Sequence, residues 1–164
     1  MTGRRWLIAA AAVWAAALLV AAVASARTDP ATAREHSPLD RGRQTLDGAV
    51  AAVLAAAGAG VTAEVAGYEL ATGCRLTLSR DGSTLERAVL LTGPAGQEPA
   101  LLARLAARLP AGWGARHHES TQRLVADAGD FVSVRAEPAE PGRVEVRMST
   151  GCRPGTVTGL APAR

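Results

Sequence analysis

Apolar residues recur at helical spacing in two stretches of the chain. The first stretch predicts a helix that starts after Ser37, which is a typical N-cap residue, with Pro38 in its first turn and Asp40 placed to help satisfy free backbone amides. Its apolar positions are Leu39, Leu46, Val50, Val53, Leu54 and Ala57. Gly58 is expected to end this helix, because glycine readily takes the left-handed conformation found after helix C-termini. A second helix is predicted from Pro99 to Leu109.

A period-two alternation between the two predicted helices indicates a strand with one buried face. Its apolar positions are Tyr68, Leu70, Thr72, Cys74, Leu76 and Leu78. Asp81-Gly82 then predicts a two-residue type I′ hairpin turn, because both central residues of that turn need positive φ. This turn would pair Cys74 with Val89 and would place Arg87 opposite Leu76, at a sheet edge where a long arginine can reach solvent.

Further short strands are predicted in the second half of the chain. They run from Gly114 to Ser120, Arg123 to Ala126, Phe131 to Ala136 and Arg143 to Thr150. Cys152 shares the parity of the apolar residues in the last strand, so both cysteines are expected to point inward, and Arg75 and Arg153 outward. The order of elements predicts an α+β domain with two layers, in which two helices pack on one face of a mainly antiparallel sheet.

The N-terminal segment carries an export signal. Met1 to Arg5 contains two arginines, and 19 uncharged residues follow from Trp6 to Ala24. This length approaches that of a membrane-spanning helix, and the arginines favour an N-terminus inside the cell. We therefore expect a single-pass protein in the cell membrane with its C-terminal domain outside. Ten of the 19 residues are alanine, and Ala24-Ser25-Ala26 offers a signal-peptidase site, so secretion after cleavage following Ala26 is the alternative.

Four segments result from this division. Residues 1–26 are the transmembrane anchor or signal peptide, 27–37 a flexible linker, 38–154 an extracytoplasmic α+β domain, and 155–164 a disordered tail. The third segment is long enough for one hydrophobic core and too short for two.

Composition argues against nucleic-acid binding. All 18 basic residues are arginine, and two of them lie in the leader. The remaining 16 are nearly balanced in number by 15 acidic residues. The arginines are scattered among these acidic residues, and the chain has a single Tyr and a single Phe. The basic patch and stacking surface of a nucleic-acid-binding protein are therefore missing from the pattern.

Both cysteines stand in copies of the same four residues, Thr-Gly-Cys-Arg, at positions 72–75 and 150–153. An oxidising compartment, a count of two and the predicted inward positions favour a structural disulfide between Cys74 and Cys152. Two free buried thiols are one alternative. A metal or redox role is another, although neither cysteine has a second Cys or a His at ligand spacing.

The cluster His117, His118 and Glu119 is the candidate for catalysis or metal binding. Adjacent histidines in a strand point to opposite faces, so only His117 and Glu119 could share an ion, which needs three or four ligands. Asp130 is a turn residue that could join an active site with them. The sequence contains no nucleophile elbow or phosphate-binding loop, and no cofactor is expected.

Several stretches resemble small exported or membrane-anchored proteins of high-GC Gram-positive bacteria. They are the leader, the Ala- and Arg-rich domain, Asp130-Phe131-Val132, Val146 and Thr150-Gly151-Cys152-Arg153-Pro154. The resemblance implies no activity and assigns no functional residue. We expect a membrane-anchored domain with a non-catalytic binding or envelope-assembly role, whose protein partner the sequence does not identify. The alternative is a secreted enzyme with a site around His117 and Glu119.

Overall fold

A computed structural model describes residues 6, 12–23, 37–77, 80–155 and 157 of the chain. The chain forms two compact units, Met1–Thr32 and Ala33–Arg164. In the first unit, residues 12–23 are helical and their side chains are exposed. No helix within the described residues combines the length and the apolar character that a membrane crossing requires. The predicted cleavage site at residues 24–26, positions 27–36 of the predicted linker, and all of the predicted tail except residues 155 and 157 lie outside the described residues.

The described part of the second unit contains two α-helices, a short 3₁₀ helix and six strands. The helices are α1 (Leu39–Ala57) and α2 (Glu98–Arg108), and the 3₁₀ helix is Ala111–Trp113. The strands are β1 (Thr62–Thr77), β2 (Arg80–Thr92), β3 (Arg116–His118), β4 (Arg123–Asp127), β5 (Ser133–Glu140) and β6 (Arg143–Ser149). They form one sheet in the order β1-β2-β6-β5-β4-β3, and every neighbouring pair is antiparallel. The predicted α+β class is confirmed.

The core lies between the two helices and one face of the sheet. The residues it buries from α1 and α2 include Leu46, Val50, Val53, Leu101, Leu102 and Leu105, and those from the sheet include Val89, Leu91, Leu124, Val134, Val144, Val146 and Met148. The sheet residues alternate along their strands with exposed or half-buried ones, as expected for a sheet with a single covered face. A second, smaller cluster of buried apolar residues is formed by Leu39, Leu70, Leu85 and Val157, and Tyr68 packs against both clusters.

The start of α1 differs from its prediction. Leu39 is the first helical residue, Pro38 takes the N-cap position, and no side chain caps the helix. Ser37 is fully buried, and its hydroxyl donates to a carboxylate oxygen of Asp130 at 2.8 Å. The N-cap role predicted for Ser37 was therefore wrong, because a buried partner from elsewhere in the chain uses its hydroxyl.

The hairpin of β1 and β2 is present, but its predicted turn was wrong. Cys74 pairs with Gly82, not Val89, and Asp81 and Gly82 lie inside β2. Gly82 does not have positive φ. A Cβ atom there would lie 2.6 Å from the Arg153 carbonyl oxygen and 2.9 Å from Cys152 Sγ, so a glycine is needed for close packing.

Arg87 also has a different neighbour from the one predicted. It pairs with Tyr68 across the β1–β2 ladder, not with Leu76. Its guanidinium lies 2.9 Å from a carboxylate oxygen of Asp47 in α1, and its Cζ is 4.5 Å from the centre of the Tyr68 ring. The Tyr68 hydroxyl donates to the same carboxylate. Arg87 therefore joins the sheet to α1.

The two Thr-Gly-Cys-Arg copies each contain a β-bulge. Gly73 and Gly151 both have positive φ, 82° and 65°. Gly73 is the extra residue between the pairs Thr72–Ser83 and Cys74–Gly82. In the second copy, Gly151 and Cys152 together lie opposite one β2 residue, between a hydrogen bond to Leu85 and a bridge to Ser83. A bulge of this kind reverses which face the following side chains occupy.

This reversal corrects the predicted directions of the cysteines and of one arginine. Both cysteines are half-buried and lie on the sheet face opposite the helices, where the predicted disulfide joins Cys74 to Cys152 with their Cα atoms 5.9 Å apart. Arg153, expected to face solvent, turns inward and is 0% exposed, whereas Arg75 is exposed as predicted.

Candidate functional site

Within the described residues, both helices lie on one face of the sheet, and a groove of about 770 Å³ runs across the other face. Strands β2, β6, β5 and β4 supply its floor. Its charged lining residues are Glu86, Arg123, Arg135, Glu137, Glu145 and Arg147; smaller or apolar ones include Val125, Phe131, Ser133, Ser149 and Gly151. We refer to this surface as the open-face groove. It can accept a charged molecular surface or an extended chain, since it combines polar side chains of both signs with small residues.

Ion pairs organise part of this charged lining. Arg123 Nε lies 3.0 Å from a carboxylate oxygen of Glu137 on the neighbouring strand, and Arg147 Nε lies 3.1 Å from one of Glu145. The hydrogen bond and the charge of Glu145 raise the pKa of Arg147 above its usual value. Solvent screens such exposed pairs, so they orient side chains more than they stabilise the fold.

Phe131 reaches the groove from the loop between β4 and β5. Asp130 and Phe131 both have positive φ, 46° and 58°, a backbone conformation that is uncommon in residues other than glycine. The loop is closed by hydrogen bonds between backbone groups of Ala128, Gly129 and Val132. Such strained conformations persist only where surrounding contacts hold them.

Arg153 provides those contacts from beneath the loop. Its guanidinium donates to the carbonyl oxygen of Asp130, to the hydroxyl of Ser37 and to an Asp130 carboxylate oxygen at 3.2 Å. Its Nε donates to the Thr150 carbonyl oxygen at 3.0 Å. We call Ser37, Asp130, Thr150 and Arg153 the Arg153 cluster. It ties the start of α1, the Phe131 loop and the segment after β6 together.

Gly42 allows this cluster to form beside α1. A Cβ atom on Gly42 would lie 2.9 Å from Arg153 Nε and 3.0 Å from the Thr150 methyl group. The disulfide holds the same segment from the other side of the sheet, since Cys152 directly precedes Arg153. The position of Phe131 in the groove therefore depends on a buried arginine that follows a disulfide-bonded cysteine.

Alternation by itself could have revealed the polar lining of the groove, because Ser133, Arg135 and Glu137 occupy every second position of one strand. Which of these residues lie opposite each other on neighbouring strands depends on the strand register, and the sequence does not show that register. The buried role of Arg153 was missed for a different reason, since its direction depends on the bulge at Gly151.

The structure places the predicted His117, His118 and Glu119 at the edge strand β3. The strand ends at His118, so Glu119 lies in the following turn and does not alternate with His117 as expected. Among the described residues, no group of three His, Cys, Asp or Glu side chains is arranged to hold a metal ion. Asp130, the third residue suggested for such a site, instead contacts Ser37 and Arg153.

Comparison of the chain with protein-family models, curated proteins and solved structures yields no match.

Proposed function

We propose that this chain is an exported, membrane-anchored protein whose α+β domain has a non-catalytic binding role in the cell envelope, with the open-face groove as its binding surface. The observation that supports this proposal is the sheet face that the helices and loops of the described residues leave open. A two-layer domain with helices on one side presents the other side to a partner, and here that side carries charged side chains around a groove of about 770 Å³.

The disulfide and the leader support the location. A Cys74–Cys152 disulfide is typical of proteins outside the reducing cytoplasm. The charged start and apolar run of residues 1–26, and the resemblance to small exported proteins of high-GC Gram-positive bacteria, agree with export. Membrane fractionation of the expressed full chain should recover it in the membrane. An N-terminus at Arg27 would overturn the anchor and leave the secreted alternative.

Site-specific photo-cross-linking tests the binding surface. A photoreactive amino acid replaces Ser149 in the groove, and in a matched control it replaces Ala55, which is exposed on α1. Both full-length proteins are expressed in the envelope and irradiated. We expect a discrete adduct from position 149 and none from position 55. Equal adducts at both positions, or none at position 149, would contradict the proposed surface.

A secreted enzyme acting through His117 and Glu119 is the second candidate. One observation favours it. Nε2 of His117 is buried and has no hydrogen-bond partner among the described residues, and such an unsatisfied atom is unusual outside a functional site. Changing His117 and Glu119 to Ala separates the two functions. Loss of a cellular phenotype with unchanged thermal stability and unchanged cross-linking from position 149 would favour the enzyme, and an unchanged phenotype would exclude it.

A further inference from the structure

Like charges face each other across two neighbouring strands of the open-face groove. Arg135 of β5 lies directly opposite Arg147 of β6, and two residues further along, Glu137 lies directly opposite Glu145. The face therefore carries a row of two arginines beside a row of two glutamates. Like charges at directly opposite positions of an antiparallel pair destabilise the sheet. The exchange of two residues on one strand would have removed both repulsions.

Contacts within the chain relieve this repulsion only in part. Glu145 pairs with Arg147 along its own strand, and Glu137 pairs with Arg123 of β4. Arg135 is exposed and forms no ion pair with the residues that the structure describes. Exposed pairs of this kind contribute little to the stability of the fold. An outside surface can compete for the charges of Glu137, Glu145 and Arg147, because their ion pairs are solvent-accessible and weak, whereas Arg135 needs no existing ion pair to be replaced.

We propose that the partner that binds this face is a second copy of this chain. This inference rests on the proposed function, which makes the face a binding surface. A two-fold axis parallel to the two rows and midway between them would bring the arginine row of one copy over the glutamate row of the other. Arg135 would then face the second copy's Glu137, and Arg147 its Glu145. The same contact forms twice, as in every isologous dimer.

The charges also select this arrangement over others. A two-fold axis along the strands would set arginine on arginine and glutamate on glutamate, which is repulsive. A partner of uniform charge would gain from one row and lose at the other, since the four residues sum to zero net charge. A surface with adjacent rows of opposite sign is complementary to itself.

Two charge-reversal variants test the inference by sedimentation at low salt. R135E/R147E makes all four positions acidic, and E137R/E145R makes all four basic. We expect the wild-type chain to dimerise and each variant to associate at least about tenfold more weakly, because like charges then meet across the interface. An equimolar mixture of the two variants should form a mixed dimer. R41E/R108E, on exposed helix positions with the same change in net charge as R135E/R147E, is the control and should dimerise normally.

The outcome separates this inference from the proposed function. A wild-type chain that stays monomeric at low salt, or variants that fail to associate when mixed, would overturn the second copy as occupant. If cross-linking from position 149 then yields an adduct with a different protein, the binding surface stands with another partner. If neither self-association nor an adduct is found, both proposals are wrong.

Discussion

Replacement of Arg153 by Met tests whether the buried arginine of the second Thr-Gly-Cys-Arg copy stabilises the folded domain. Arg153 is 0% exposed, and its guanidinium contacts Ser37, Asp130 and Thr150. Methionine keeps an unbranched side chain while it removes the charge and every donor. The carboxylate of Asp130 and the hydroxyl of Ser37 then lose their buried partner.

The expected loss of stability depends on how deeply Arg153 and Asp130, the two partners of the ion pair, are buried. Removal of one partner from a buried ion pair destabilises a protein by about 3–5 kcal/mol. The Asp130 side chain is 20% exposed, so water can partly replace the lost contact and the lower end applies. We expect R153M to lower the free energy of unfolding by about 3 kcal/mol, and the melting temperature by roughly 10 °C for a domain of this size.

Urea unfolding of the oxidised proteins, followed by circular dichroism, measures this loss. The first copy of the motif offers a matched control, since Arg75 also follows a disulfide-bonded cysteine but is exposed. R75M should change stability by no more than about 0.5 kcal/mol. R153K should fall between R153M and the wild type, because an ammonium keeps the charge without the planar fork.

A loss below about 1 kcal/mol for R153M, or equal losses for R153M and R75M, would refute the reasoning. A double-mutant cycle with Asp130→Asn sharpens the test. If Asp130 and Arg153 act as a pair, the double variant should lose clearly less stability than the sum of the two single variants. Additive losses would show that the cluster does not couple the loop to the C-terminal segment.

Three further predictions concern other contacts of the fold. Changing Cys74 and Cys152 to Ala should lower stability by up to about 4.5 kcal/mol, the chain-entropy figure for their separation of 78 residues, and reduction of the wild type should raise its mass by that of two hydrogen atoms. In α1, Gly42→Ala should destabilise by about 1–3 kcal/mol because its Cβ would meet Arg153, whereas Gly48→Ala, with open space around it, should stabilise by up to about 1 kcal/mol in the same urea assay. Hydrogen bonds from the backbone amides of Gly142, Glu98 and Gly96 lower the pKa of Glu98, so the stability that its carboxylate contributes is present above the ordinary carboxyl pKa and is lost as pH falls through the lowered value. The stability difference between the wild type and Glu98→Gln should therefore shrink between about pH 7 and pH 3, and a constant difference would contradict this cause.

The periodic parts of the chain were predictable because their patterns are local. Helical spacing located both helices to within about two residues, and alternation located the long hairpin and the last strands. The hairpin turn was misplaced because Asp-Gly indicates a type I′ turn only when the glycine is needed for its positive φ. At Gly82 the glycine serves a close approach between segments that are distant in sequence.

The candidate site was less accessible to such reasoning. Charged residues at alternate positions could have shown that one face of β5 and β6 is polar, but the pairing of Arg135 with Arg147 depends on the register between strands. Likewise, nothing local distinguishes Arg75 from Arg153, since both follow Gly-Cys in the same four residues.

The sequence by itself therefore determined the class of the fold and the approximate positions of its helices and strands, and it favoured a disulfide between the two cysteines, because periodicity and cysteine count are properties of the chain alone. Only the tertiary structure decided which way each repeated motif points. A bulge at Gly151 sends Arg153 into the one place where Ser37 and Asp130 can satisfy it, whereas the bulge at Gly73 leaves Arg75 exposed. The same four residues thus take opposite roles, since burial of a charge depends on the partners that the rest of the fold brings to it.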